Sequence, residues 1–222
     1  GRYPLHLHHL MGPANPTNTG YQFTVIGNVI ENSLKWPMAV HTSHFGLIEG
    51  NVVIGGPRFT GAGIAVEDGD ETENVFRRNF VADIRGNQNP FSSAQDDAIN
   101  GTAAECYWAK GFNNRFVDNV AAGCRNAVQQ IVSGVGFKFL RRAAVATLYN
   151  PRFRGADHSN PADMIAVNPQ RQPLLQFDGN EAYGLMGGGF TDWFLGTNGA
   201  ELWDGQLPSA IRNFRVWHTY QI

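Results

Sequence analysis

A short pattern recurs along the chain: an apolar residue, two further residues, an asparagine, and usually another apolar residue just after it. Phe23-Thr24-Val25-Ile26-Gly27-Asn28-Val29-Ile30 is echoed by Gly46-Leu47-Ile48-Glu49-Gly50-Asn51-Val52-Val53, then by Asn74-Val75-Phe76-Arg77-Arg78-Asn79-Phe80-Val81. It returns as Asn114-Arg115-Phe116-Val117-Asp118-Asn119-Val120-Ala121, as Leu175-Gln176-Phe177-Asp178-Gly179-Asn180-Glu181-Ala182 and as Ser209-Ala210-Ile211-Arg212-Asn213-Phe214-Arg215-Val216. The asparagines are 23, 28, 40, 61 and 33 residues apart. Repeats of roughly 20–45 residues mark a solenoid. The runs between turns are short and β-like, which predicts an all-β, right-handed parallel β-helix with loop insertions. Each Asn is expected to take the turn conformation and to bond, through its side-chain amide, the equivalent Asn of the next coil. Chance enrichment of Asn in loops would leave the flanking apolar residues unexplained.

The uneven spacings locate the insertions. The interval of 40 holds the polar, turn-rich stretch Asn87 to Asp97. The interval of 61 is expected to hold two coils and a second insertion around Tyr149 to Arg171. Insertions on a solenoid tend to gather on one face and shape a binding site. The only short helix candidate is Ala143 to Leu148. The pattern runs close to both ends without obvious caps, so residues 1–222 are expected to form one β-helix domain within a larger protein. Cys106 and Cys124, 18 residues apart, are either two small buried hydrophobes or a disulfide between neighbouring rungs.

Composition narrows the partners. The formal charge is −2 and only 3 of the 17 basic residues are Lys, so nothing recruits nucleic acid or an anionic membrane. Apolar runs are too short to insert into a bilayer. Trp36, Tyr107, Trp108, Trp193, Trp203 and Trp217 suit either sugar stacking or core filling.

Strand parity then selects a face. Side chains alternate across a strand, so in Tyr3-Pro4-Leu5-His6-Leu7-His8 the residues Tyr3, Leu5 and Leu7 point inward while Arg2, His6 and His8 point out. One coil on, Met38 and Val40 face the core and His41 faces out; on the third, Ile64 and Val66 face in and Glu67 out. The steps from His8 to His41 and to Glu67 are 33 and 26 residues, one coil each. Equivalent positions on adjacent coils lie about 4.8 Å apart. His6, His8, His41 and Glu67 therefore converge, with His44 and Asp68 at the strand ends. Imidazoles with a carboxylate suit a divalent metal, zinc or another transition metal before calcium. The same groups suit general acid–base chemistry, with Arg2, His44, Glu67 and Asp68 as the catalytic candidates. A surface ladder of His and acids with no further role is the plain alternative. The run Glu67-Asp68-Gly69-Asp70-Glu71 lacks EF-hand spacing and is expected to be a solvated turn with weak calcium affinity at most.

Several of these segments together resemble the β-helix region of the G8-domain proteins, which include the cell-migration-inducing hyaluronidase, the transmembrane hyaluronidase and the fibrocystin-like proteins. They are Gly1-Arg2-Tyr3-Pro4-Leu5-His6-Leu7-His8, Val40-His41-Thr42-Ser43-His44 and Val66-Glu67-Asp68-Gly69-Asp70-Glu71-Thr72-Glu73-Asn74-Val75-Phe76. Asn119-Val120-Ala121-Ala122-Gly123 and Asn213-Phe214-Arg215-Val216-Trp217 are similar too, and the middle, 141–171, is the least alike. The resemblance implies a secreted or cell-surface β-helix, flanking domains in the same protein and, in some members, cleavage of hyaluronan. The fibrocystin-like members share the region without an established enzymatic role, so likeness alone does not establish catalysis.

Three functions fit. The first is a hydrolase or lyase acting on an extended, acidic polysaccharide laid along the solenoid, with Arg2 holding a substrate carboxylate. The second is a non-catalytic surface or adhesion module with a structural metal or none. The third is a metal-dependent redox enzyme.

Overall fold

Each of the repeated segments folds into two short strands joined by a two-residue corner, and a third strand completes every coil. The computed structural model describes residues 3–10, 20–56, 61–86, 101, 103–126, 133–140, 147–148, 166–167, 173–193 and 209–220. Coil one is β1 (Leu5–His8), β2 (Phe23–Ile26) and β3 (Val29–Glu31); coil two is β4 (Met38–His41), β5 (Gly46–Glu49) and β6 (Val52–Ile54). Coil three is β7 (Ile64–Val66), β8 (Val75–Arg77) and β9 (Phe80–Ala82); coil four is β10 (Tyr107–Ala109), β11 (Arg115–Val117) and β12 (Val120–Ala122). Coil five is β13 (Phe137–Leu140), β16 (Gln176–Asp178) and β17 (Glu181–Tyr183), interrupted by the pair β14 (Thr147–Leu148) and β15 (Ala166–Val167). Coil six is β18 (Phe190–Trp193), β19 (Ile211–Arg212) and β20 (Arg215–Trp217). Like strands pair in parallel from coil to coil, giving three sheets of six strands. The fold is a right-handed parallel β-helix, the hand that parallel crossovers adopt.

The asparagine pattern has a structural cause. Val25, Ile48, Phe76, Phe116 and Phe177 are in register on the second sheet and fill the core, and Ile211 continues the row at its exposed end. Phe76 and Phe116 stack with centroids 4.8 Å apart, and burying each ring contributes about 2–3 kcal/mol. Three residues after each apolar anchor, Asn51, Asn79, Asn119 and Asn180 lie fully or almost fully buried. The Asn79 carboxamide oxygen accepts from the Asn51 backbone N–H at 3.0 Å and from the Asn51 amide at 2.9 Å. The Asn79 amide in turn donates to the Ile48 carbonyl at 2.9 Å and to Asn119 Oδ1 at 3.0 Å. The same bonds link Asn28 to Asn51 and Asn119 to Asn180. The apolar residue thus anchors each coil twice, its side chain in the core and, on coils one to four, its carbonyl on the asparagine of the following coil. A second, shorter ladder runs from Asn74 to Asn114 at the corner between the first and second sheets.

Four details differ from the sequence reading. The turn conformation belongs to the residue before the ladder Asn: Gly27, Gly50, Arg78, Asp118, Gly179 and Asn213 all have φ between 50° and 68°. Asn213 is therefore not a ladder member. It is in register with Gly179, while Phe214 takes the place opposite Asn180, because the left-handed position accepts Gly, Asp and Asn alike. The interval of 61 holds one coil, since Asn119 bonds Asn180 directly; the extra residues form an insertion after β13. In that insertion Thr147 and Leu148 pair antiparallel with Val167 and Ala166, so the expected helix gives way to a strand at its last two residues. The rest of that candidate, and the loop Asn87 to Asp97, lie outside the described residues. Finally, Tyr3 packs on the outer face against Trp36, not in the core.

Cys106 and Cys124 form a disulfide with Cα atoms 5.9 Å apart, buried where coil four returns toward the first sheet.

Replacing Asn79 with Ala removes four hydrogen bonds and strands the Asn51 N–H and the Ile48 carbonyl in the interior. The expected loss is about 3 kcal/mol, measured by urea unfolding. Asn28→Ala, at the exposed end of the ladder, is expected to cost less than about 1 kcal/mol. Equal costs would show that the buried ladder is not what holds the coils.

Candidate functional site

The outer face of the first sheet collects the histidines because parallel pairing stacks like positions. Leu5, Leu7, Met38, Val40, Ile64 and Val66 all pack into the core from this sheet. His8 is paired with His41, and Glu67 follows on the third coil through its N–H to the Val40 carbonyl at 2.9 Å. The His8 and His41 rings stack at 4.5 Å, and His6 lies edge-on to them at 5.0 and 5.8 Å. One ring nitrogen from each of His6, His8 and His41 lies within 4.8 Å of the other two. His6 and His8 are exposed and His41 is half-buried. Burial in the cluster, then repulsion from His8 and His41, lowers the pKa of His6, with Glu67 and Asp68 opposing.

His41 is the hinge of the arrangement. Its Nδ1 lies 2.7 Å from Asp68 Oδ2 and 3.3 Å from Glu67 Oε2. With both carboxylates against Nδ1, the neutral ring carries its proton on Nδ1 and leaves Nε2 with its lone pair. The two acids therefore orient the ring, and neither Glu67 nor Asp68 belongs to the group of three imidazoles.

His9 is a member that alternation does not find, because parity sends it inward. Its φ of 55° turns the chain, and its ring stacks on His8 at 4.0 Å and lies parallel to His41 at 5.2 Å. Two further placements depart from expectation. His44 is buried, not at the margin of the exposed cluster, and burial lowers its pKa to about 3. The acidic turn is not solvated: Asp70 and Glu71 are fully buried. The reason is local. Glu71 accepts backbone N–H groups from Thr42 at 3.0 Å, Asp68 at 2.9 Å and Gly69 at 2.8 Å, which folds the turn over its carboxylate. Burial, then the Asp68 charge, pushes Asp70 up to about 7. Burial and the neighbouring Asp70 and Asp68 charges push Glu71 up as well, against the amide donors that favour its anion. Arg2 lies outside the described residues.

Further along the same face, Trp36, Ala39, Ala65 and Trp108 form a second apolar cluster, with Lys35 and Lys110 over its rings. Trp36 donates to the Gly101 carbonyl at 2.7 Å. Beyond it Lys138 and Glu105 make a buried ion pair at 3.0 Å. Trp36, Tyr107 and Trp108 are thus packing residues, whereas Trp217 is exposed and stacks on Tyr183 at 4.7 Å. Trp203 lies outside the described residues. No helix among the described residues is long and apolar enough to cross a membrane.

The buried His44 gives a pH signature. Its ordinary value is 6.5 and the folded value is about 3, so the unfolded chain takes up a proton that the folded chain refuses. That stabilisation is complete above 6.5 and is lost as pH falls toward 3. His44→Gln is expected to flatten the fall in urea-unfolding stability between about pH 7 and pH 4. An unchanged slope would show that His44 is not what titrates.

Among known proteins, the family described as CEMIP beta-helix matches residues 1–190. No curated protein and no solved structure matches the chain significantly.

Proposed function

The chain belongs to the CEMIP β-helix family, and from that premise we propose that it is a carbohydrate-active β-helix acting on an extended, acidic polysaccharide. The observation that carries this reading is the convergence of His6, His8 and His41 on the outer face of the first sheet, backed by Glu67 and Asp68. A stack of six parallel coils presents a long, straight surface, which suits a chain substrate more than a small molecule. Arg2 would take the uronate carboxylate in a two-pronged grip.

The three imidazoles offer nitrogen donors of the kind zinc and neighbouring transition metals prefer. His6, His8 and His41 would hold the ion, His41 through Nε2 because Asp68 engages Nδ1. A bound metal would supply Lewis acidity toward a substrate oxygen. Glu67 is then free of metal ligation and stands 3.3 Å from His41, where it can exchange a proton with substrate through water or directly. His44 is buried with its pKa lowered to about 3, and this reading gives it no proton-transfer role. The Cys106–Cys124 bridge suits an oxidising compartment, in keeping with a secreted or cell-surface location.

Incubating the chain with hyaluronan, chondroitin, alginate and pectin, alongside metal analysis of the purified protein, tests the reading. Depolymerisation of one acidic polymer is expected, with His41→Ala reducing it on the order of 100-fold. Unsaturated uronate ends would mark elimination, and new reducing ends without unsaturation would mark hydrolysis. Binding without cleavage, unchanged in His41→Ala, would favour an adhesion module and overturn the catalytic assignment.

A further inference from the structure

Several cations of the stack are neutralised by carboxylates of neighbouring coils. Arg77 and Arg78 hold Glu49, Arg115 holds Glu73, Arg125 holds Asp83 and Arg215 holds Glu181, while Lys138 is buried against Glu105. Lys35 differs: among the described residues it makes no ion pair. Its ammonium lies 4.9 Å from the centre of the Tyr3 ring and 5.0 Å from that of Trp36, and it donates to the Tyr3 hydroxyl at 3.2 Å. The electron-rich ring faces attract the charge without cancelling it. The hydroxyl engages one of the ammonium's three donors and leaves the others for a ligand.

The aromatic base under Lys35 is fixed before any ligand arrives. Trp36 is buried, donates to the Gly101 carbonyl at 2.7 Å and packs against Trp108 at 5.2 Å, and Tyr3 stacks on it at 5.4 Å. The Lys35 main chain is tied to Ser33, whose hydroxyl donates to the Lys35 carbonyl and accepts from the Lys35 N–H at 3.4 Å. A lysine side chain loses much conformational freedom on gripping a ligand, and here part of that ordering is already in place. The same Tyr3 ring stands edge-on to His6 with centroids 4.9 Å apart. One aromatic ring therefore separates an uncompensated ammonium from the imidazole cluster, and Lys35 keeps part of its surface open to solvent.

We propose that Lys35, held by Tyr3 and Trp36, is an anion subsite that binds a sugar carboxylate beside the histidine cluster and so selects acidic over neutral polysaccharides. This inference rests on the polysaccharide reading of that cluster and adds to it the residue that reads charge. An ammonium is a compact point charge, without the fixed fork of a guanidinium, so the subsite selects for charge more than for the stereochemistry of the ring. Lys35 touches the substrate; Tyr3 is a positioning residue, because its ring and hydroxyl set where the ammonium stands.

Binding measurements separate this subsite from cleavage. With His41→Ala as the parent, hyaluronan, chondroitin, alginate and pectin are each titrated into the full chain at low salt, beside their carboxyl-reduced forms. For the acidic polymer bound best, adding Lys35→Met is expected to weaken binding about tenfold through loss of one charged contact. Lys35→Arg is expected to restore part of that loss, and Tyr3→Phe, which keeps the ring without the hydroxyl, to cost less than Lys35→Met. Carboxyl-reduced polymer is expected to bind the parent and the Lys35→Met variant alike. With His41 intact, Lys35→Met is expected to raise KM and leave kcat nearly unchanged. Lys35→Gln replaces Lys35→Met should the thermal midpoint of the latter fall. Undiminished affinity in the folded variant, equal losses for native and carboxyl-reduced polymer, or no binding of any acidic polymer to the parent overturns the subsite. Lys35-dependent binding without cleavage by the wild type would keep the subsite and remove the catalytic reading; cleavage with KM unmoved in Lys35→Met would do the reverse.

Discussion

The buried amide ladder is the interaction on which the other features depend. A buried asparagine brings two donors and an acceptor into the interior, and an unmet one costs about as much as a lost core contact. From Asn28 to Asn180 each coil supplies partners for its neighbour, so each amide is satisfied only if the coils are in register. A slip of one residue would turn the apolar anchors outward and break the amide pairs together. Register along the second sheet sets register along the first, and that places His8 on His41 and Glu67 one coil beyond.

Part of this was legible beforehand because the constraints are local and periodic. An apolar residue three before an asparagine records a core side chain, a corner and a ladder amide in four consecutive positions. Parity placed Met38, Val40, Ile64 and Val66 inward and His41 and Glu67 outward, as found. What escaped was decided by backbone twist or tertiary contact. Asn213 shares its residue type with the ladder but occupies the left-handed position preceding it. His9 breaks alternation because a positive φ rotates it onto His8. Asp70 and Glu71 read as solvated because charge usually is, and only the amides converging on Glu71 explain their burial. The disulfide required knowing that coil four brings its two ends together, which spacing alone left open.

The exposed and buried ionisable groups divide the outer corner into two chemical environments. On the strand, imidazoles meet solvent and are open to a ligand. Beneath the turn, carboxylates are held apart from water, and Asp70 responds to burial by tending toward its neutral form. His41 and Asp68 are the contact between them. There His41 Nδ1 lies 2.7 Å from Asp68 Oδ2, so a change of charge in one environment is felt in the other.

The three corners of the coil are not equivalent. Between the second and third sheets every connection is two residues long, from Gly27-Asn28 to Asn213-Phe214. The other two corners absorb all the variation in coil length, from the four residues between β4 and β5 to the long insertion after β13. Those variable corners are the borders of the first sheet, the one bearing the histidines. One edge of the solenoid is thus held to a fixed length, while segments can be exchanged or lengthened beside the chemistry without disturbing the stack. Such a scaffold can acquire new selectivity by grafting loops, leaving its spine as inherited.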